Sequence, residues 1–256
     1  MSMNGSMLVT RCQARLALAA VLALPAAAAA QEGVATDPRL LAVTRSLESE
    51  LRDGRSARAL RLARQALDDL VQSGPAATDG GTIARLLYYQ AVAAADRGLP
   101  DTAAWSWSLA QSFDPRLSRE DLGRWGAAGT FLAARPARPP APDGEVAPED
   151  SGRPPRSINL FAAPAGVTTR LPQEADAPPP RYPPVLRGSG IRGPVLLQVR
   201  IDRRGRTNDP ILLESPHPLL ALATAQTVAD WRYRPAEVDG DAVGVYYRVR
   251  IDFRAE

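Results

Sequence analysis

The chain of 256 residues contains no lysine: all 31 of its basic side chains are arginine, and with 28 acidic ones the net charge is +3. That absence removes P-loop lysines, Schiff-base chemistry and Ser-Lys dyads from consideration. Cysteine and histidine each occur once, as Cys12 and His217. One cysteine makes no intrachain disulfide and no Cys-rich metal site, so the domains must be held by packing alone. The small net charge and the scatter of arginines along the chain argue against nucleic-acid binding.

Cys12 also lies in a segment expected to be removed. Arg11 and Arg15 precede an apolar run over residues 16–24, and Pro25 and five alanines then lead to Gln31. This is the layout of a secretory signal peptide over residues 1–30, with cleavage after Ala30. The run is shorter than the roughly 20 residues that span a bilayer comfortably. The expected location is the periplasm; an uncleaved run would instead anchor the chain in the inner membrane.

From 38 to 134 leucine and alanine recur at three- and four-residue steps, with breaks at Asp53-Gly54, Ser73-Gly74-Pro75, Gly98-Leu99-Pro100 and Asp114-Pro115. The pattern predicts an all-α domain with a last helix over 118–134. Ala91, Gly98, Ala103, Trp107, Ala110 and Pro115 fall at spacings similar to the tetratricopeptide repeat, and Leu47, Gly54, Ala59, Ala63 and Ala66 take the same offsets. A plain helical hairpin bundle is the alternative, because periodicity alone does not separate the two. Residues 135–180 are rich in Pro, Ala and Gly and predict an extended spacer. At about 3.1 Å per residue, 45 residues reach on the order of 140 Å. Within it, 158–161 and 167–171 are apolar or β-branched, readable as short strands or as local apolar residues in a linker.

Residues 181–256 carry a different pattern. Val195, Leu197, Val199 and Ile201 alternate with Pro194, Leu196, Gln198 and Arg200, and 243–253 alternates likewise from Val243 to Phe253. These are half-buried antiparallel strands. A third strand is expected over 206–214 after the Arg203-Arg204-Gly205 turn. A helix beginning near Pro218 places Leu220, Thr224, Val228 and Trp231 along one side. The result is an α+β module with a three-stranded antiparallel sheet.

The order of landmarks in this module, Arg181-Tyr182-Pro183-Pro184, Gly193-Pro194-Val195, Asp202-Arg203-Arg204-Gly205, Ser215-Pro216-His217-Pro218 and Trp231-Arg232-Tyr233-Arg234-Pro235, resembles the C-terminal domain of the TonB family of periplasmic energy transducers. The resemblance implies that an extended peptide, the TonB box of an outer-membrane receptor, adds as a strand beside the final strand. By position it implicates Arg187, Arg192, Tyr246, Arg248 and Arg250 in partner binding. The family's transducers carry Gln where Arg187 stands, and a membrane-embedded His that the 16–24 run lacks.

No cofactor, metal or catalytic site is expected. Ser215 and His217 are close in sequence, but a helix lead-in explains both, and Asp202, Asp209, Asp239 and Asp241 are turn residues without metal-loop spacing. The expected function is protein or peptide binding in the periplasm, with outer-membrane receptors as candidate partners. The alternatives are a scaffold that holds its client on the helices and oligomerises through its C-terminal domain, or an anchored energy transducer.

Overall fold

Hydrogen-bonded caps and left-handed glycines set the limits of the helices. The computed structural model describes residues 37–147 and 158–254, so the expected signal peptide lies outside the described residues. Helix α1 (Pro38–Arg52) starts where Asp37 accepts from the Arg39 amide at 2.8 Å and Pro38 fills a position that needs no donor. After α2 (Ser56–Ser73), the carboxylate of Asp79 accepts from the Thr82 amide at 2.7 Å and opens α3 (Gly80–Asp96), which α4 (Pro100–Phe113) follows. Gly54 (φ 69°) and Gly98 (φ 68°) occupy equivalent turns, where a side chain would be strained. Leu47, Ala59 and Ala63 in the first hairpin, and Ala91, Ala103 and Ala110 in the second, are fully buried, and the small residues let the helices approach closely.

The last helix is shorter than its sequence suggests. Two 3-10 turns precede α5 (Gly126–Ala133), because Gly126 sits at φ 55° and interrupts the backbone path.

The remaining described residues build three antiparallel sheets. In chain order the elements are β1 (Thr169–Arg170), β2 (Gln173–Asp176), β3 (Gly193–Ile201), β4 (Thr207–Glu214), α6 (Pro218–Val228), β5 (Arg232–Arg234), β6 (Ala236–Val238), β7 (Asp241–Val243) and β8 (Val245–Phe253). The main sheet has the order β4-β3-β8 and is the expected three-stranded one; β2-β5 and β1-β6-β7 are additional. The expected final strand over 243–253 is two strands, because the chain breaks step at Gly244. β6 and β7 form a hairpin whose two loop residues, Asp239 (φ 53°) and Gly240 (φ 90°), both take positive φ, as the tight turns that match strand twist demand.

Alternation along β3 and β8 gives the main sheet two faces. Val195, Leu197, Val199, Ile201, Val245 and Val249 are buried on one. Helix α6 is buried through Leu219, Leu220, Leu222, Ala225 and Val228 and contacts β3 and β4. Trp231 is 3 % exposed, and its indole N–H donates to the Pro178 carbonyl at 2.9 Å.

The stretch expected as an extended spacer is, in its described parts, bound to the C-terminal strands. Thr169 and Arg170 pair with β6, Gln173 and Glu174 pair with β5, and the side-chain amide of Gln198 makes two hydrogen bonds to the Ala141 backbone at 2.7 and 2.8 Å. Its prolines remove donors but leave carbonyls and intervening amides free to pair. Helices and strands belong to one compact unit over Ala35–Glu256. α4 packs on β4, where the Ser108 hydroxyl donates to the Pro210 carbonyl at 2.8 Å, and Gln226 on α6 donates to Asp68 on α2 at 2.8 Å.

Replacing Trp231 by Ala empties a large aromatic site and strands the Pro178 carbonyl, so Trp231→Ala is expected to cost about 3–5 kcal/mol. Thermal or denaturant melting checks this; a wild-type midpoint would show that the indole contributes no packing.

Candidate functional site

β8 is the outermost strand of the main sheet, so half of its backbone groups face away from β3. Its nine residues pair with β3 without a bulge, from Val245↔Ile201 to Phe253↔Gly193. In such a ladder successive residues point their N–H and C=O to opposite sides. Tyr246 accepts at its carbonyl from the Gly144 amide at 2.8 Å and donates its own amide to Glu145 at 2.9 Å, so its groups face outward. By the same alternation those of Arg248, Arg250 and Asp252 face outward too, while those of the odd-numbered residues bond β3.

This outer edge is divided. Residues 143–147 run antiparallel beside its first half: besides the two bonds at Tyr246, the Ala147 amide donates to Gly244 at 2.8 Å, and Val146 bridges to Val245. The Asp143 carboxylate accepts from the Arg248 amide at 3.0 Å. A second layer follows, with the Val146 amide donating to Ile158 and the Leu160 amide to Gly144, both at 2.8 Å. Beyond Arg248 the outward groups are the Arg248 carbonyl and the amides and carbonyls of Arg250 and Asp252. Among the described residues none of these takes a backbone partner.

The five residues expected to bind a partner are thus not one cluster. Tyr246 is 6 % exposed, because the 136–141 segment covers it and its hydroxyl accepts from Arg138. Arg248 and Arg250 are exposed on the same sheet face as Tyr246. Arg250 makes a forked ion pair with Asp252, at 2.8 and 3.2 Å, and this carboxylate raises the guanidinium pKa further. Arg187 closes the Pro184–Leu186 turn, and Arg192 directly precedes Gly193, so Arg192 lies at the Phe253 end of β8. Seven strand residues, roughly 23 Å, separate that end from Tyr246.

Sequence reasoning missed Asp143, Gly144 and Glu145. The signal was present: Pro142-Asp143-Gly144 is a turn signature followed by Glu145-Val146, and Gly144 has φ 75°. The run at 167–171 does supply a strand, but to β6 rather than to the final strand.

Residues 178–255 match the family described as Gram-negative bacterial TonB protein C-terminal. A TonB-type domain therefore occupies this part of the chain, and it includes β3 to β8. No curated protein matches the chain.

Ser215 and His217 do not meet as nucleophile and base. The Ser215 hydroxyl donates to the His217 backbone carbonyl at 2.8 Å, while the His217 ring caps α6, its Nδ1 accepting from the Leu219 amide at 3.2 Å. Nδ1 as acceptor leaves the proton of the neutral ring on Nε2, which donates to the Ala76 carbonyl at 3.0 Å in the α2–α3 loop. Burial pushes the ring's pKa below its ordinary value of 6.5, against the opposing effect of the Ala76 hydrogen bond.

A lowered folded value means that the unfolded chain takes up the proton first. The His217 contribution is therefore complete above about pH 6.5, declines as pH falls, and levels off below the folded pKa. His217→Ala is expected to lose about 1 kcal/mol at neutral pH through the cap and to remove this part of the acid sensitivity. Being the only histidine, it can be titrated by NMR in the folded protein; a midpoint at or above 6.5 would contradict the buried, neutral cap.

Proposed function

We propose that the C-terminal module binds an extended segment of another envelope protein by adding it as a strand beside β8. The observation that carries this function is the outward row of backbone donors and acceptors from the Arg248 carbonyl to Asp252, on the outermost strand of the main sheet. Main-chain bonding supplies affinity in such additions, and flanking side chains select the partner. Two features support the assignment. A TonB-type domain covers this edge, and that family's role is protein interaction in transport across the Gram-negative envelope. The chain's own 143–147 segment also pairs with the same strand, so the edge is geometrically competent to accept one.

The role is binding rather than catalysis, its place is the periplasm, and receptor segments at the outer membrane are the first candidate partners. Arg248 and Arg250 flank the incoming strand, with Arg192 near its far end. Arg187, standing where the family's transducers carry Gln, gives this domain a different receptor preference. The two helical hairpins are tetratricopeptide-like units in this scheme, on the strength of their matching glycine turns and buried alanines.

A cleft of about 530 Å³ between α2–α4 and the β4–α6 side favours a second, scaffold function. Gln90, Trp105, Asn208 and Gln226 line it. Clefts at junctions of this kind hold ligands more often than open surfaces do. In that case the helices hold the client.

Arg250→Pro and Arg250→Ala separate the two. The Arg250 amide faces away from β3, so proline there removes an outward donor without breaking the ladder, as edge strands tolerate. With a receptor-box peptide titrated against folded protein, Arg250→Pro is expected to weaken binding at least ~10-fold and Arg250→Ala no more than ~3-fold, main-chain bonds being the larger part. Equal binding by both variants would reject strand addition and favour the cleft.

A further inference from the structure

Beside β8 the chain has already laid a strand of its own. Residues 143–147 make three backbone hydrogen bonds to Gly244 and Tyr246, and the Asp143 carboxylate takes the place of a fourth acceptor at the Arg248 amide. The segment is held from both sides. Ala141 is clamped by Gln198, which is 1 % exposed, and Arg138 donates to the Tyr246 hydroxyl. On the outer side, Ile158 and Leu160 bond Val146 and Gly144. Gly144 is specific to this arrangement, because its φ is 75° and an added Cβ would lie 2.3 Å from the Phe161 ring.

Where the occupied part of the edge stops, the cations begin. Arg192, Arg248, Arg250 and Arg254 are exposed around the open half of β8, with Asp252 the one acid in that stretch of strand. The cis segment brings Asp143 and Glu145 to the same strand. Both acids thus lie next to that cationic stretch, and the Asp143 carboxylate already reaches the Arg248 amide.

We infer that residues 143–147 occupy the partner-binding edge in cis, so that an extended acidic segment in trans binds by docking on the open half of β8 and displacing them. This rests on the strand-accepting function proposed above. An intramolecular strand on a short tether competes at an effective concentration on the order of millimolar. The apparent affinity for a partner falls by the fraction of molecules in which the edge is vacant. The arrangement selects against weak, non-acidic strands, which would otherwise pair with a bare edge.

The probe is a synthetic peptide copying residues 141–147, titrated by calorimetry against the full mature chain. Gly144→Pro loses the donor to Tyr246 and cannot adopt the required positive φ, so it releases the cis segment while leaving the β4-β3-β8 ladder intact. It is expected to bind the peptide at least ~10-fold more tightly than wild type. Asp143→Ala removes only the carboxylate contact, keeps the fold safe and is expected to gain about threefold, the worth of one hydrogen bond. A peptide carrying Asp143→Asn and Glu145→Gln is expected to bind several-fold more weakly to all chains. Equal affinity of wild type and both variants would overturn the cis occupancy while leaving strand addition in place. Absence of binding to any chain would overturn the strand-accepting function with it. Undiminished binding of the amide peptide would overturn the acidic character of the partner.

Discussion

The uninterrupted pairing of β8 with β3 is the constraint on which the C-terminal half depends. With no bulge over nine residues, the register assigns every odd-numbered residue of β8 to the ladder and every even-numbered one to the outer edge. The same alternation sends Val245, Val249 and Phe253 into the core and Arg248 and Arg250 toward solvent. A slip of one residue would reverse both assignments, burying two arginines and exposing the apolar face. The apolar alternation therefore also fixes which amides and carbonyls are left for another strand.

The second constraint is the docking of the helices on the sheet. α4 covers the β4 side through Ser108 and Pro210, and α2 reaches α6 through Asp68 and Gln226. The two edges of the main sheet are therefore unequal: β4 is covered by a helix, while β8 is covered over half its length by a strand of the chain. Natural sheets seldom leave a long bare edge, since an unpaired row of backbone groups invites promiscuous pairing. In this chain cover and open half lie on one strand, and the change from one to the other falls at Arg248.

Much of this was legible in the sequence where the pattern repeats. The β3 and β8 alternation, the Pro218 helix start and the two glycine turns are local signals, and each appears where its chemistry requires it. Long-range partners were not legible. Nothing near Ala141 announces Gln198, 57 residues away, and nothing near Arg138 announces Tyr246, so a proline-rich stretch read as a spacer although its backbone is bonded to the sheet. Tyr246 shows the consequence: the family resemblance implied a partner-binding place for it on the final strand, and the distant segment 136–141 buries it. The helix over 118–134 failed for a local reason, since the Gly126 conformation cannot be told from helical propensity alone.

The most direct measurement of this division is residue-resolved amide hydrogen exchange along β8 in the full, unliganded chain. Outward amides at Tyr246 and Arg248, bonded to Glu145 and Asp143, should exchange slowly, and those at Arg250 and Asp252 fast, with all odd-numbered amides of the ladder protected. Addition of an extended partner should then slow Arg250 and Asp252. Uniform protection of all four outward amides, or uniform fast exchange, would contradict an edge that is half occupied by its own chain and half open to another.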